Sequence, residues 1–412
     1  MNVEIITIGD ELLIGQVIDT NSAFMAKALN DNGFVVARKA TVGDNADDII
    51  EAIDEALARV PIALITGGLG PTNDDITLKT LCRYFGCSLR FSEEVFANIT
   101  TLFSCNNRVI NDLTRLQAMV PDAATVIQNK VGTAPCTWFE RNGKVLISLP
   151  GVPHEVKWLI TNEIAPRLKA HFPQDTTIRH QSFLVSGYPE SALAMKLADF
   201  ENNLPDFVKL AYLPNAGIIK LRLTVTCNDK ETVEATLSEL SELLHEILGH
   251  NIIADADKNP EAVIGERLRA AGRTVGTAES CTGGAIAAAL TSVAGASDYY
   301  RGSVVAYANE VKINALGVSE DDLRQHGAVS QQVVEQMARG ALSALGCDYA
   351  IATSGIAGPS GGTPEKPVGT VWIAVASKDR IISKEHHFST MREINILRTL
   401  NTSLIMLLEF MT

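Results

Sequence analysis

The chain has 412 residues, of which 46% are hydrophobic, and its formal net charge is −13 at pH 7. This length suggests about two to four domains of ordinary size, each with enough apolar residues to bury a core. The 35 Lys and Arg residues are scattered and form no basic patch, so we expect the protein to contact neither nucleic acid nor a membrane.

The cysteine content and the amino terminus indicate the compartment. The seven cysteines are odd in number and include no C-x-x-C pair, which favours reduced thiols over a disulfide framework or a zinc site. Residues 1–6 lead directly into a strand pattern without a basic-then-apolar signal, and no apolar run is long enough to span a bilayer. We therefore expect a cytoplasmic protein.

Strand and helix patterns alternate over residues 1–172. Strands are predicted at residues 3–8, 35–42, 63–66 and 145–149, and helices at residues 47–59 and from Thr20 or Asn21, either of which can cap the helix, to a stop at Gly33. This alternation predicts an α/β domain with a doubly wound, mainly parallel sheet that is covered by helices on both faces.

The pattern changes twice further along the chain. Residues 175–255 predict a small α+β domain with strands at 183–186, 210–212 and 219–227 and helices at 190–200 and 231–248. A polar, Pro-containing stretch at 255–260 predicts a linker. Residues 258–412 predict a further α/β domain, with strands at 275–278, 349–353 and 371–376 and helices at 285–290, from Ser330 to 345, and at 394–410.

Glycines and acids follow the predicted strands of the first domain. Open parallel sheets bind ligands at the carboxyl ends of their strands, where glycine permits close backbone approach and carboxylates suit a hard divalent cation. The predicted phosphate contacts are Gly67, Gly68, Gly70, Thr72, Pro150 and Gly151, and the predicted metal ligands are Asp10, Glu11, Asp44, Asp74 and Asp75. The alternative is that the acids cap helices and the glycines form turns, since neither a Walker A lysine nor a G-x-G-x-x-G pattern is present.

Ser280 stands where an apolar strand turns into an Ala-rich helix. A helix N-terminus offers unpaired N–H groups, which stabilise the oxyanion formed when a hydroxyl attacks a carbonyl. A free serine needs a base, and His326 has no partner acid at a suggestive spacing. Lys312 can serve if its pKa falls far below the ordinary value, with Tyr307 relaying the proton or donating to the leaving group.

Other interpretations of these residues stay open. Ser280 is equally placed to cap the helix, Lys312 to lie in solvent, and Cys281 to compete as a nucleophile, because a helix N-terminus lowers the pKa of a thiol. Residues 354–370 contain five glycines and three prolines. This segment is either a plain surface loop or a rigid cradle for a phosphate or ribose.

Motifs along essentially the whole chain resemble those of the competence/damage-inducible CinA family. The matching segments are residues 9–16, 20–21, 42–45, 67–75, 129–134, 149–153, 278–284, 307, 312, 354–359 and 363–371. The resemblance implies a molybdopterin-binding-like domain at 1–172, a small KH-like domain at 175–255 and a nicotinamide-nucleotide amidase domain at 258–412. The middle domain lacks a G-x-x-G loop and basic character, so we do not infer RNA binding.

The resemblance also implies roles for individual residues. It makes Ser280, Tyr307 and Lys312 the catalytic set of the amidase and assigns Arg392 to the nucleotide phosphate. Further substrate contacts that it implies are Thr282, Gly283, Gly284, Ser354, Gly355, Gly358 and Thr363 in the last domain and Asn129, Gly132 and Thr133 in the first. Departures from the family pattern are Ser360, Thr390, Met391 and Asn395; they bear on phosphate binding and spare the catalytic set.

These residues lead to a hypothesis of a bifunctional enzyme of pyridine-nucleotide salvage. Its last domain would convert nicotinamide mononucleotide to nicotinic acid mononucleotide and ammonia without a cofactor. Its first domain would cleave ADP-ribose to AMP and ribose 5-phosphate with Mg²⁺, Mn²⁺ or Co²⁺, with K⁺ as a further candidate ion. The resemblance implies a homodimer. The alternatives are a first domain that binds a pterin or nucleotide without turnover, and an accessory protein of DNA uptake, which the acidic charge disfavours.

Overall fold

The computed structural model describes residues 1–70, 75–105, 109–173, 176–255 and 258–411. Thr72 and Asp74, both predicted site residues, lie outside these ranges. The chain forms two compact units, one of residues 1–179 with 226–233 and the other of residues 180–225 with 234–412. Within the described ranges, no helix combines the length and apolarity that crossing a bilayer requires.

The first unit is built on a six-stranded sheet in the order β2-β1-β3-β8-β7-β6. Its strands are β1 (Asn2–Ile8), β2 (Val35–Val42), β3 (Ile62–Thr66), β6 (Thr125–Ile127), β7 (Cys136–Arg141) and β8 (Lys144–Leu149), while β4 (Leu89–Phe91) and β5 (Met119–Pro121) pair separately. The first four strands in the sheet order are parallel, and β7 and β6 add an antiparallel edge.

Helices cover both faces of this sheet. They are α1 (Asp10–Leu13), α2 (Thr20–Asp31), α3 (Ala46–Arg59), α4 (Thr77–Phe85), α5 (Glu93–Cys105), α6 (Asp112–Leu116), α7 (Pro153–Leu159), a π-helical turn (Ile160–Ile164) and α8 (Ala165–His171). Val3 and Ile5 belong to one core cluster and Ile6 and Ile8 to another, because successive side chains of a strand point to opposite faces. The predicted doubly wound α/β class is confirmed.

The second unit begins with a four-stranded sheet in the order β10-β11-β9-β12. Its elements are β9 (Thr177–Val185), α9 (Glu190–Lys196), α10 (Ala198–Asn202), β10 (Val208–Asn215), β11 (Ile218–Cys227), α11 (Lys230–Leu248), a 3₁₀ turn (Gly249–Asn251) and β12 (Ile252–Ala254). Leu184, Ile218 and Ile253 share one hydrophobic core with the final helix of the chain, so this small α+β module packs against the last domain.

The last part of the second unit is a five-stranded sheet in the order β14-β13-β15-β16-β17. The strands of this sheet are β13 (Val275–Glu279), β14 (Tyr300–Val305), β15 (Tyr349–Gly355), β16 (Thr370–Ser377) and β17 (Ile381–His387). The helices of this part are α12 (Pro260–Ala271), α13 (Ala285–Thr291), α14 (Asn309–Leu316), α15 (Glu320–His326), α16 (Gln331–Leu345) and α17 (Arg392–Phe410), and a 3₁₀ turn (Ala296–Asp298) follows α13. β13 is parallel to β14 and β15, whereas β16 and β17 are antiparallel.

Three local predictions were wrong. α2 is capped by Asp19, whose carboxylate accepts from the N–H of Ser22, and not by Thr20 or Asn21. The predicted helix at 190–200 is two short helices that meet at Leu197. Ser330 precedes α16, but its hydroxyl donates to the carbonyl of Gly327 and does not cap the helix. At the start of α2 and at Ser330, the side chain makes a different hydrogen bond from the predicted one.

Candidate active sites

The turn after β13 presents Ser280 at the edge of the five-stranded sheet. Its N–H donates to the carbonyl of Thr353 on β15 at 3.0 Å, so sheet pairing continues one residue past the strand. Gly283 and Gly284 then adopt φ values of 61° and 99°, a left-handed conformation that glycine takes without strain. The chain therefore reverses sharply before α13, and the Ser280 side chain stays largely buried.

Lys312 lies on α14 and is buried beside Ser280. The residue is 1% exposed, and its Nζ lies 3.2 Å from Ser280 Oγ, 2.7 Å from the carbonyl oxygen of Ala306 and 3.2 Å from that of Tyr307. Burial lowers the pKa of Lys312 below the ordinary 10.5 because the charged form loses its hydration. The surroundings thus shift the equilibrium of Lys312 toward the neutral amine.

The two carbonyls determine the direction of the hydrogen bond between a neutral Lys312 amine and Ser280. A neutral amine has two hydrogens and one lone pair, and a carbonyl only accepts. The charged amine donates to Ser280 Oγ as well as to both carbonyls. Once the amine is neutral, its two hydrogens go to Ala306 and Tyr307, and its lone pair is left to accept from the hydroxyl of Ser280. This is the arrangement that a general base requires.

Tyr307 and Arg392 lie at the mouth of the same site. The Tyr307 residue is 60% exposed, and its hydroxyl accepts from Arg392 Nη2 at 3.2 Å, while Nη1 donates to the carbonyl of Gly358 at 3.1 Å. Among the described residues, no hydrogen bond joins the Tyr307 hydroxyl to Ser280 or Lys312, which contact each other directly. Tyr307 therefore does not lie between them as a relay.

A cavity of about 220 Å³ brings these groups together. Its lining includes Ser280, Cys281, Tyr307, Asn309, Lys312, Ala328, Val329, Ser354, Gly355, Ala357 and Arg392. Ser354 Oγ donates to the carbonyl of Ala328 at 2.7 Å and fixes that part of the wall. Sequence reasoning missed Asn309, which lies in the same segment as Tyr307 and Lys312, and also Ala328 and Val329, whose segment only the fold brings to this site.

Five of the predicted substrate contacts are not part of this lining. They are Thr282, Gly283, Gly284, Gly358 and Thr363. The Thr282 hydroxyl is buried against that of Thr353 at 2.9 Å, and the Thr363 hydroxyl accepts from the N–H of Lys366 at the surface. Asn395, noted as a departure, is 1% exposed and donates to the carbonyls of Ala357 and Ser389. It anchors the loop beside Arg392.

The expected free N–H groups at the start of α13 are already occupied, so that part of the sequence interpretation was wrong. The carboxylate of Glu279 accepts from the N–H groups of Gly284, Ile286 and Ala287. In contrast, the N–H groups of Cys281 and Thr282 donate to no other residue in the described part of the chain. Burial raises the pKa of the Cys281 thiol to about 12, which disfavours the thiolate and argues against Cys281 as nucleophile.

The first unit has a larger cavity, of about 520 Å³, at the carboxyl ends of β1 and β3. Predicted residues in its lining are Glu11, Asp44, Gly67, Gly68, Gly70, Asp75 and Gly151. Asp10, Asn129, Gly132, Thr133 and Pro150 are not part of the lining. Asn129 is 1% exposed and donates to Glu155, and the carbonyl of Pro150 accepts from the hydroxyl of Thr66. Both residues thus form internal hydrogen bonds and do not face the cavity.

The acids at this cavity are close enough to influence one another. The N–H of Asp10 donates to Asp44 Oδ2 at 3.1 Å, and the N–H of Asp44 donates to Asp10 Oδ1 at 3.3 Å. Burial raises the pKa of Asp44, and the negative charges of Asp10, Glu11 and Asp75 add to this. Within the described ranges, which exclude Asp74, no three His, Cys, Asp or Glu residues form a ready metal-binding group.

The chemistry of these donors nevertheless fits a hard divalent cation. Carboxylate oxygens are the ligands that Mg²⁺ and Mn²⁺ prefer. A cation beside Asp44 would offset both the loss of hydration, which is the main cause of the raised pKa of its carboxyl, and the repulsion from the neighbouring acids.

Comparisons with known proteins agree with this architecture. Residues 4–170 match the family model of the probable molybdopterin binding domain, residues 180–254 that of the damage-inducible protein CinA KH domain, and residues 257–411 that of the CinA C-terminal domain. The chain thus joins a molybdopterin-binding-type domain to the two domains of CinA proteins.

Relatives that align with nearly the whole chain identify the family. A CinA-like protein from Cytophaga hutchinsonii is 45% identical over 397 residues, which cover 96% of this chain and 94% of the relative. Another from Flavobacterium psychrophilum is 42% identical over 409 residues, or 99% and 98% of the two chains. The crystal structure of competence/damage inducible protein CihA from Agrobacterium tumefaciens is 38% identical, covers 39% of this chain and 100% of that chain, and has a TM-score of 0.36. The chain belongs to the CinA family.

Proposed function

We propose that the last domain hydrolyses the carboxamide of nicotinamide mononucleotide to the carboxylic acid and ammonia. One observation carries the proposal: a 1% exposed lysine amine lies 3.2 Å from the hydroxyl of Ser280. Burial lowers the pKa of this amine and so increases the fraction that is neutral. A serine beside such a base has the partner that a nucleophile needs. The substrate is inferred from the family resemblance, and the type of reaction is inferred from the residues of the site.

The reaction proceeds through an acyl-enzyme. Ser280 Oγ attacks the carboxamide carbon, and its proton passes to Nζ of Lys312. The oxyanion would form beside the N–H of Cys281, which belongs to the cavity lining and donates to no other described residue. Lys312 then returns the proton to the departing nitrogen, with the hydroxyl of Tyr307 as a second donor, and ammonia leaves. A water molecule next attacks the ester, gives one proton to Lys312, and releases the acid as Ser280 regains its proton.

The size of the cavity suits part of the nucleotide. Small-molecule sites usually measure about 300–1,000 Å³, and the 220 Å³ here is enough for the nicotinamide ring alone. The ribose and phosphate would then extend to the mouth, where the exposed guanidinium of Arg392 offers two N–H donors to the phosphate.

The test is ammonia release from nicotinamide mononucleotide, with the acid product identified by mass. Ser280→Ala should abolish the reaction because the nucleophile is lost. Ser292→Ala is the matched control, since this exposed serine follows α13 and bonds only nearby carbonyl oxygen; it should react like the unmodified protein. Normal ammonia release by Ser280→Ala would eliminate the mechanism.

For the first unit we propose metal-dependent cleavage of the pyrophosphate of ADP-ribose to AMP and ribose 5-phosphate. The support is the 520 Å³ cavity with its glycine-rich wall and acidic rim. Glu11, Asp44 and Asp75, which line the cavity, would hold the cation together with Asp10, which is hydrogen-bonded to Asp44. The cation would supply positive charge to the phosphates. The backbone N–H groups of the glycine loops orient the substrate.

This proposal is tested by incubating ADP-ribose with the protein and Mg²⁺, Mn²⁺ or Co²⁺, with and without K⁺. Asp44→Asn should raise the metal concentration needed for half-maximal rate, and Asp31→Asn, an exposed acid at the end of α2, should not. Survival of ADP-ribose under every condition would refute the proposal. Calorimetry that shows binding without turnover would favour the binding-module alternative.

A further inference from the structure

Glu279 is a buried carboxylate beside the nucleophile that the proposed reaction does not use. The residue is 0% exposed. Its Oε2 accepts from the N–H groups of Gly284 at 3.0 Å and Ile286 at 3.1 Å, and its Oε1 accepts from the N–H of Ala287 at 2.8 Å and the hydroxyl of Thr277 at 3.1 Å. In the described part of the chain, it forms no ion pair with Lys or Arg.

Four donors replace the hydration of this charge. A buried carboxylate is costly unless it is well hydrogen-bonded, and bonds from N–H groups to an ionised carboxylate are the strong kind. Three of these bonds link the side chain of Glu279, at the end of β13, to backbone N–H groups at the start of α13. They therefore close a loop around residues 280–283, the turn that carries Ser280.

Closure of this loop has two consequences for the site. It fixes the backbone from which the Ser280 side chain reaches Lys312 at 3.2 Å. It also occupies the N–H groups of Gly284, Ile286 and Ala287. The N–H of Cys281, a residue of the cavity lining, donates to no other described residue and is left for the developing oxyanion. Both effects act on the transition state through other residues, because Glu279 does not line the cavity.

We propose that Glu279 is the positioning residue of the nucleophile, holding the Ser280 turn in the geometry that the amide hydrolysis needs. The inference rests on the proposed amidase function. A mere helix cap is the competing role, but α13 has only seven residues, and the bonds span the reactive turn.

Glu279→Gln separates the two roles. The amide keeps the size of the side chain but has one acceptor oxygen, and its NH₂ must face N–H donors. The turn should then shift, and displacement of a reacting group by about 1 Å costs on the order of 100-fold in rate. We expect kcat to fall by about 10- to 100-fold with KM for nicotinamide mononucleotide unchanged. A purely structural cap would lower thermal stability and leave the kcat of each folded site at its original value.

A fluorophosphonate probe makes the test independent of the substrate. Ser280 Oγ forms a bond to phosphorus, fluoride leaves, and Lys312 takes the hydroxyl proton, so the labelling rate, followed by intact mass, reports activation of the serine. Glu279→Gln should label at a tenth of the original rate or less. The matched control is Glu4→Gln, which changes a carboxylate that is 3% exposed in the other unit, and it should label normally.

Thr277→Val removes one donor to Glu279 and replaces Glu279→Gln in this test if that variant fails to fold. It should slow labelling a few-fold. Normal labelling of either folded variant would overturn the positioning role. If the unmodified protein is not labelled, activation of Ser280 fails and the positioning role fails with it. Labelling of Ser280 without ammonia release from nicotinamide mononucleotide would refute the proposed substrate and leave the role of Glu279 standing.

Discussion

Replacing Lys312 by methionine tests the base and the burial of its amine together. Methionine has a similar length, so it fills the space of the lysine stem without a charge. It cannot accept the proton of Ser280. General-base catalysis contributes about 10²- to 10⁴-fold, and we expect the rate of ammonia release to fall by at least this factor.

The effect of Lys312→Met on stability should be limited, because it combines a loss and a gain. The buried carbonyl of Ala306 and the partly buried carbonyl of Tyr307 lose their donor, which costs about 1–3 kcal/mol for a fully buried acceptor. Against this, the protein no longer has to hold an amine in a site that disfavours its charged form. The two terms have opposite signs, so the variant should fold and retain its circular dichroism spectrum.

The assay is ammonia release at saturating nicotinamide mononucleotide, with the unfolding transition followed in parallel. Lys378→Met is the control, because this exposed lysine lies in the turn between β16 and β17. Ammonia release by folded Lys312→Met at more than a tenth of the original rate would refute the reasoning, since the base would then lie elsewhere.

Three further outcomes are expected. Because burial lowers the pKa of Lys312 and the neutral amine is the base, kcat/KM should rise with pH through that lowered pKa and then level off; a flat profile would contradict it. Arg392→Ala should raise KM for nicotinamide mononucleotide about tenfold or more, as expected for a lost charge-assisted contact, while Arg398→Ala on the same helix should not. Burial raises the pKa of Glu155 above 4.5, so its contribution to stability is present below that value and is lost as pH rises through the raised pKa. Glu155→Gln should remove this loss in denaturant titrations, and Glu51→Gln, an exposed control, should not.

Much of the fold was predictable from the sequence. β2 was predicted at its observed bounds, and β1 and α3 to within one residue. β1 and α3 have apolar residues at the spacing of a buried strand and of an amphipathic helix, so their periodicity is a local property. β2 has no buried residue, but it is rich in the β-branched residues Val and Thr. The antiparallel edge strands β6 and β17 were missed, because they are half exposed and lack such a pattern.

The site was predictable only as a set of residue types. The turn after β13 and the glycines behind it indicated a presented hydroxyl, and family resemblance added Tyr307, Lys312 and Arg392. The sequence wrongly left the helix N–H groups free, because nothing local reveals that Glu279 folds back onto them. The contact between Arg392 and Tyr307 spans 85 positions of the chain, beyond the reach of any local pattern.

The sequence by itself determined the order of strands and helices, the reversal at Ser280 and the acids and glycines at the strand ends. These follow from periodicity, glycine conformation and residue type, which act over a few neighbouring positions. Only the tertiary structure decided that Lys312 is desolvated and meets Ser280, and that the acids around Asp44 repel one another. Desolvation and charge interaction depend on every group packed nearby, and distant segments supply most of those groups.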